Sequence, residues 1–359
     1  MQKKIVIIFQ RTEVKMKFEV YDLSYDKWNE VVKSFNNYGV HYLKEYAEAF
    51  TINNDEKPLL FYYEGASYRG INVVLKRDVA KDKHFIGKLE PNKYFDFSSP
   101  YGYGGWIFDG GEHHDEAYNL YLNWCEENNI LAEFVRFTLF DRPKDFYGLT
   151  IPRVLNVVRN LEDSFVNIEK NFERRVRKDL KKTGDLKIVV DEEGTYLKEF
   201  LDIYYSTMDR RNAEDDYYFS EEFFKKINSM KGNYVYFHVL LNDKIISTEL
   251  VIMDKNNMYS YLGGTNSEYF AYHPNHFIKY HIIKWGVEHG YKNFVLGGGY
   301  GTNDGIFNFK KGFAPEGIVQ FYTGQKVLNQ SLYDELVKKR IEEGLNTEGN
   351  SYFPLYRAS

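Results

Sequence analysis

The chain has 359 residues, more than the roughly 100–200 usual for one domain, and its 43% hydrophobic share is enough for two cores. A net charge of −5 excludes a surface built throughout to coat nucleic acid. The single cysteine, Cys125, excludes an intrachain disulfide framework and a cysteine-based zinc site, and it fits a reducing compartment.

At the N-terminus basic residues precede the apolar run Ile5–Phe9. That run is too short for a secretory signal and no small-residue cleavage site follows; nor does any later stretch approach the roughly 18 apolar residues of a membrane span. A soluble cytoplasmic protein is expected, with Met16 a candidate start because ordered-looking sequence begins at Lys17. The 32 Tyr and 28 Phe, against 8 Pro, describe a compact aromatic-packed body, the rings serving a core or a stacking groove. Leu59–Glu64, Tyr68–Lys76 and Tyr94–Phe97 read as strands, followed by the glycine–aromatic loop Ser98–Trp106, a helix near Glu112–Asn128 and a strand Ala132–Thr138. Cys125 lies on that helix as a buried, inert thiol. In the loop, glycines let backbone approach a ligand and Tyr101 and Tyr103 can stack on a sugar or base; a tight structural loop packed by its own rings is the competing reading.

Asn156–Glu162 holds neither Gly nor Pro and reads as a crossing point between two halves. Arg174–Lys182 then carries six basic residues in nine positions. Arg174, Arg175, Arg177, Lys178 and Lys181 suit a polyanion, either tRNA, a precursor pyrophosphate or the inner face of a membrane. Equally they suit the solvated side of a helix whose buried side is Val176 and Leu180. Arg210 and Arg211 follow a tyrosine-rich helix, as a phosphate or carboxylate clamp or as a helix-end charge pair.

Tyr234–Leu241, a turn at Asn242-Asp243, Ile245–Met253 and Met258–Leu262 form an antiparallel meander. Glu249, a candidate catalytic carboxylate, stands in the apolar second strand, so it is expected to be paired, protonated or cleft-facing; a side chain turned to solvent is the competing reading. A helix follows over Asn275–His289 with Phe277, Ile278, His281, Ile282 and Trp285 on one face and Gly290 as its stop. Then come a strand Asn293–Leu296, the glycine-rich loop with Asn303 and Asp304, a strand Ile318–Tyr322 and a helix Ser331–Arg340. GGGYGTND fits neither a dinucleotide nor a P-loop fingerprint, and no clear amphipathic helix is expected behind it. Asp304 is either a cleft group that orients an amine or accepts its proton, or a turn former beside Gly305. His113-His114 point apart and His273, His276 and His281 lack an i, i+4 pair with a carboxylate, so no metal is expected. Asn275 and His276, at a helix start, sit where backbone N–H groups can hold an anion.

Tyr101–Gly105 (YGYGG), Arg174–Gly184, Tyr204–Arg211 (YYSTMDRR), Thr248–Val251, Tyr261–Thr265 (YLGGT), Pro274–Gly290 and Leu296–Phe313 (LGGGYGTNDGIFNFKKGF), in this order, make the chain resemble the Fem family of peptidoglycan-bridge aminoacyltransferases and related tandem acetyltransferase-like proteins. The resemblance implies an α/β fold of two tandem GNAT-like domains, here 17–158 on the acceptor side and 159–345 for acyl transfer, with 1–16 and 346–359 as peripheral tails. It implies transfer of an aminoacyl group from aminoacyl-tRNA, a co-substrate rather than a bound cofactor, to an amine of a cell-wall precursor. At its Lys310 position a lysine faces the acyl-transfer centre, where an ammonium stabilises an oxyanion or the leaving oxygen; apart from the resemblance Lys310 reads as a surface lysine. Tyr261 and Phe309 enter as substrate contacts on the same ground. Thr265–His276 lacks the Gln/Arg-x-x-Gly-x-Gly/Ala loop that holds coenzyme A, which leans toward tRNA, whereas the absence of a heptad helix pair removes a feature that accompanies tRNA use. An acyl-CoA N-acetyltransferase acting on a sugar or small amine, and a non-catalytic glycan- or RNA-binding tandem domain, are the alternatives.

Overall fold

The computed structural model describes residues 16–52, 56–299, 301 and 304–359. The readings of Ile5–Phe9 and of tail residues 1–15, and the candidate Asn303, lie outside them.

Strand β1 (Lys17–Tyr21) and the short helices α1 (Trp28–Lys33) and α2 (Lys44–Ala49) lead into β2 (Lys57–Glu64), β3 (Tyr68–Asp78), β4 (Phe95–Ser98) and β5 (Ile107–Gly110). Helix α3 (Asp115–Glu127), β6 (Ile130–Arg136) and the long strand β7 (Leu149–Asn160) follow. The next stretch holds α4 (Phe165–Asn171), α5 (Arg174–Leu180), β8 (Lys187–Asp191), α6 (Leu197–Arg211) and α7 (Glu221–Ile227). After the meander β9 (Tyr234–Leu241), β10 (Lys244–Met253) and β11 (Asn257–Thr265) come α8 (Pro274–Glu288), β12 (Asn293–Gly298), α9 (Gly305–Lys311), β13 (Ile318–Val327) and α10 (Gln330–Glu342).

The chain forms two compact units, one holding the described residues up to Arg153 together with Tyr322–Ser359, the other Val154–Phe321. Asn156–Asn160 of the expected crossing segment is strand, and the boundary falls inside β7, between Arg153 and Val154, rather than at 158/159. The closing helix and the supposed tail 346–359 belong to the first unit. Electrostatics gives the reason: Asp96 is fully buried, and Arg77 (2.6 Å), Arg357 (2.6 Å) and the Tyr356 hydroxyl (2.8 Å) supply its partners. Burial pushes the Asp96 carboxyl up, but the two guanidiniums outweigh it and hold the group below the usual range.

Both units use one topology. In the first, β2, β3 and β4 run antiparallel and β4 pairs parallel with β6 across α3; β13 then adds to β6 from Thr323 opposite Arg136 to Val327 opposite Ala132. In the second, β8, β9, β10 and β11 run antiparallel and β11 pairs parallel with β12 across α8, while β12 takes β7 as its antiparallel neighbour. The β9–β10 link is a two-residue turn in which Asn242 and Asp243 both have positive φ (49° and 61°), a conformation these residue types tolerate and one that suits the strand twist. α8 stops where Gly290 (φ 75°) lets the Tyr291 N–H return to the Gly286 carbonyl at 3.0 Å.

Many of the phenylalanines and a smaller share of the tyrosines are core. Phe61, Phe97, Trp106, Tyr118, Tyr121 and Cys125 pack together in the first unit, with the Cys125 thiol pushed well up by burial, as an inert thiol requires. In the second unit alternate strand residues face opposite helices: Phe237 packs on Trp285 of α8, and its neighbour Tyr236 on Phe200 of α6. The buried face of α8 is Ile278, Lys279, Ile282, Ile283 and Gly286, rotated from the expected stripe so that Phe277, His281 and Trp285 are only half-buried.

Candidate active site

The parallel pair β11–β12 is joined only at Asn257–Tyr259 opposite Asn293–Val295. Both strands continue, β11 to Thr265 and β12 to Gly298, so they part and leave a wedge. A bulge sharpens the departure: Val251 faces Ser260 and Leu250 faces Leu262, leaving Tyr261 as the extra residue of β11. On the other side the β12–β7 register skips Leu296.

Charged groups gather where the strands separate. Lys279 reaches from α8, 7% exposed, and its ammonium pairs with Glu249 of β10, also 7% exposed, while donating to Ser260 Oγ at 2.7 Å. Glu249 is thus the paired carboxylate that its apolar strand demanded. Lys310 of α9 approaches from the β12 side and donates to the Gly298 carbonyl at 2.6 Å. Gly297, with φ 84°, leaves it room, since a Cβ there would lie 3.2 Å from the Lys310 ammonium. Burial pushes the Lys310 pKa down to about 8; repulsion by Lys279 adds to this, and Glu249 and Asp304 oppose it. Two lysines thus stand at the parting of the strands, an arrangement suited to developing negative charge.

Asp304 caps α9, its carboxylate accepting from the N–H groups of Phe307 (2.7 Å) and Gly301 (2.8 Å). A helix does open behind the glycine loop, contrary to the sequence expectation, and this cap starts it. Both oxygens of Asp304 accept from backbone N–H groups, and so it anchors the helix that carries Lys310.

At the start of α8, Pro274 has no N–H, and those of His276 and Phe277 bond to the His273 carbonyl at 3.0 and 3.2 Å. Asn275 Oδ1 accepts from Thr265 Oγ1 at 2.5 Å, and Thr265 Oγ1 also bonds Ser247 Oγ at 2.7 Å. The anion cradle expected at Asn275 and His276 is thus largely used up by local bonds. The His276 ring packs on Phe309 and Phe313, and burial pushes its pKa down to about 4. Asp179 of α5 also closes on His273 and His276, a carboxylate the helical spacing of the histidines gave no reason to look for.

α5 forms over Arg174–Leu180 with Val176 buried and Arg174, Arg175, Arg177, Lys178 and Lys181 exposed. Some of this charge is tied locally: Arg175 bonds Glu173 at 2.7 Å and the Asn308 carbonyl, and Arg177 bonds the Lys170 carbonyl at 2.7 Å. Arg210 and Arg211 end α6 exposed, the Arg210 guanidinium lying 4.9 Å from the Phe270 ring centre. Tyr101 and Tyr103 belong to the first unit. Arg136 lies over the Tyr101 ring, 5.4 Å from its centre, and Tyr103 meets the buried His41 edge-on, so this loop is packed by its own neighbours. The residue that sequence reading missed is Lys279. Its only signal was a lysine on the face of a helix that the strands require to be apolar.

Residues 170–311 match the family described as acetyltransferase (GNAT) domain. No curated protein sequence matches the chain. The crystal structure of FemX is similar with a TM-score of 0.64 and 18% identity, covering 88% of this chain and 99% of FemX. A conserved protein of unknown function from Bacteroides thetaiotaomicron is similar with a TM-score of 0.54 and 8% identity, covering 86% of this chain and 98% of its own. These likenesses show a two-domain GNAT-like fold. Among the described residues no helix is long and apolar enough to cross a membrane.

Proposed function

We propose that this chain, an acyltransferase with the Fem-like tandem GNAT fold, transfers an aminoacyl group from aminoacyl-tRNA to an amine of a cell-wall precursor. The observation that carries the reading is the wedge between β11 and β12 with Lys310 at its edge and the Lys279–Glu249 pair behind it. The amine nitrogen attacks the ester carbonyl carbon, and the carbonyl oxygen becomes an oxyanion. As the intermediate collapses, the new C–N bond stays, the C–O bond to the ribose breaks, and the proton lost by the amine ends on the ribose oxygen. Below about pH 8 Lys310 is largely an ammonium, the form that stabilises the oxyanion and the departing oxygen.

The donor is argued from the start of α8. A coenzyme pyrophosphate needs backbone donors there, and Pro274 and the His273 carbonyl leave few. A tRNA ester makes no such demand, and the exposed face of α5 offers cations to a phosphate backbone. The acceptor rests on the Fem resemblance, and a peripheral contact with the inner membrane face on the exposed basic run of α5. The second reading, an acyl-CoA N-acetyltransferase on a sugar or small amine, is favoured by the match of residues 170–311 to an acetyltransferase family.

Thermal denaturation with acetyl-CoA and, separately, with a charged tRNA pool distinguishes the two, because a ligand of the native state raises the midpoint. A salt-sensitive rise with charged tRNA, lost in Arg174→Gln/Arg175→Gln/Arg177→Gln, is expected. A rise with acetyl-CoA alone would replace the tRNA reading by the N-acetyltransferase.

A further inference from the structure

Between α5 and the start of α8, three side chains able to bind a metal converge. One donor atom from each of Asp179, His273 and His276 lies within 4.8 Å of the others. His273 Nε2 is 3.8 Å from Asp179 Oδ1, and His276 Nε2 is 3.7 Å from Asp179 Oδ2. The set is held from several directions. His273 is the left-handed N-cap of α8 (φ 54°, ψ 42°), with Pro274 fixed behind it, and the His276 ring is backed by Phe309 and Phe313.

A protein cation already marks the meeting point. The Lys182 ammonium donates to Asp179 Oδ1 at 2.8 Å and to His273 Nε2 at 3.3 Å, so that imidazole turns a lone pair inward. The Lys182 side chain is 48% exposed and can swing into solvent without breaking any core.

We propose that Asp179, His273 and His276 form a binding site for a divalent transition-metal cation of the zinc type, which enters as Lys182 leaves. Two imidazoles and one carboxylate suit zinc, whereas calcium and magnesium prefer oxygen donors throughout. Zinc bonds of about 2.0–2.1 Å in a tetrahedron set neighbouring donors about 3.4 Å apart. The Asp–His separations of 3.7 and 3.8 Å run to different oxygens of Asp179, so the rings and the carboxylate draw together and turn to bring one donor from each onto the ion. Three protein donors leave a fourth position for water or for an anionic group of a ligand. The ion ties α5, with its run of basic residues, to the first turn of α8, and it does so independently of what the protein transfers.

The test uses the full-length, untagged chain, freed of metal by chelator and titrated with zinc chloride by calorimetry, with thermal denaturation in parallel and cobalt(II) as an optical probe. One equivalent is expected to bind, raise the midpoint and give cobalt a tetrahedral-type visible spectrum. His276→Ala and Asp179→Asn are expected to weaken binding by about tenfold or more. Lys182→Met, an exposed position that does not threaten folding, is expected to tighten it by removing a competing charge. Absence of zinc binding in both wild type and Lys182→Met would overturn the proposal, as would binding undiminished in an Asp179→Asn/His273→Ala double variant, which would locate the ion elsewhere.

Discussion

In the first unit the parallel strands β4 and β6 stay paired from Phe95 opposite Ile130 to Ser98 opposite Phe134, and the Ser99 N–H carries the seam further to the Phe134 carbonyl at 3.0 Å. In the second, β11 and β12 part after Tyr259 and Val295. The closed seam holds a buried carboxylate too, Glu133, but hydroxyls answer it: Tyr121 at 2.8 Å and Tyr147 at 2.5 Å. Burial pushes its pKa up to about 7 against the hydrogen bonds of Tyr147 and Tyr121. The open seam instead keeps its carboxylate against an ammonium and sets a second lysine beside it. One topology thus serves two ends. Where the strands stay together, Glu133 is answered by neutral hydroxyls and drawn toward its protonated form; where they part, Glu249 is answered by an ammonium.

The largest effect expected from breaking this contrast comes from the ion pair. Glu249→Gln leaves Lys279 as a buried charge without its carboxylate, at a cost of about 3–5 kcal/mol in denaturant unfolding, and Glu249→Leu/Lys279→Met regains most of that. Full stability of the single variant would mean that water already reaches the pair. Next is Lys310→Met, expected to lower the transfer rate about 10²–10³-fold with little change in midpoint, as for loss of one oxyanion donor. Glu133→Gln in the closed seam should keep the rate within a few-fold. Equal losses from both would erase the functional distinction between the seams.

The smallest effect is one of pH. Glu133 has a folded pKa raised above its ordinary 4.5, so its contribution to stability is present below about 4.5 and is lost as pH rises through about 7. Relative to Glu133→Gln, the wild type should lose up to roughly 3 kcal/mol across that window. A constant difference between the two from pH 4 to 8 would show that folding does not raise the Glu133 pKa.

Much of the second unit was legible in the sequence because its signals are local. The apolar and aromatic run marked Tyr234–Leu241 to its observed ends, Asn242-Asp243 declared the turn, and Gly290 the helix stop. Val176 and Leu180 told the buried side of α5. Glu249 was singled out by elementary cost, because a carboxylate in an apolar strand needs an answer. The identity of that answer was not local: Lys279 lies on α8, and only the packing of α8 on β10 brings the two together.

The sequence by itself determined the α/β class, the doubled meander–helix–strand order and the places where chemistry was to be sought, since periodicity, turn chemistry and burial cost act over a few residues. The tertiary structure decided the rest. It parted β11 from β12, turned Asp304 into a cap, returned Tyr356 and Arg357 to a buried aspartate of the first unit, and carried Asp179 to His273 and His276. Each of these joins residues far apart in the chain, and burial of a charge constrains the number and sign of its partners without saying which segment will provide them.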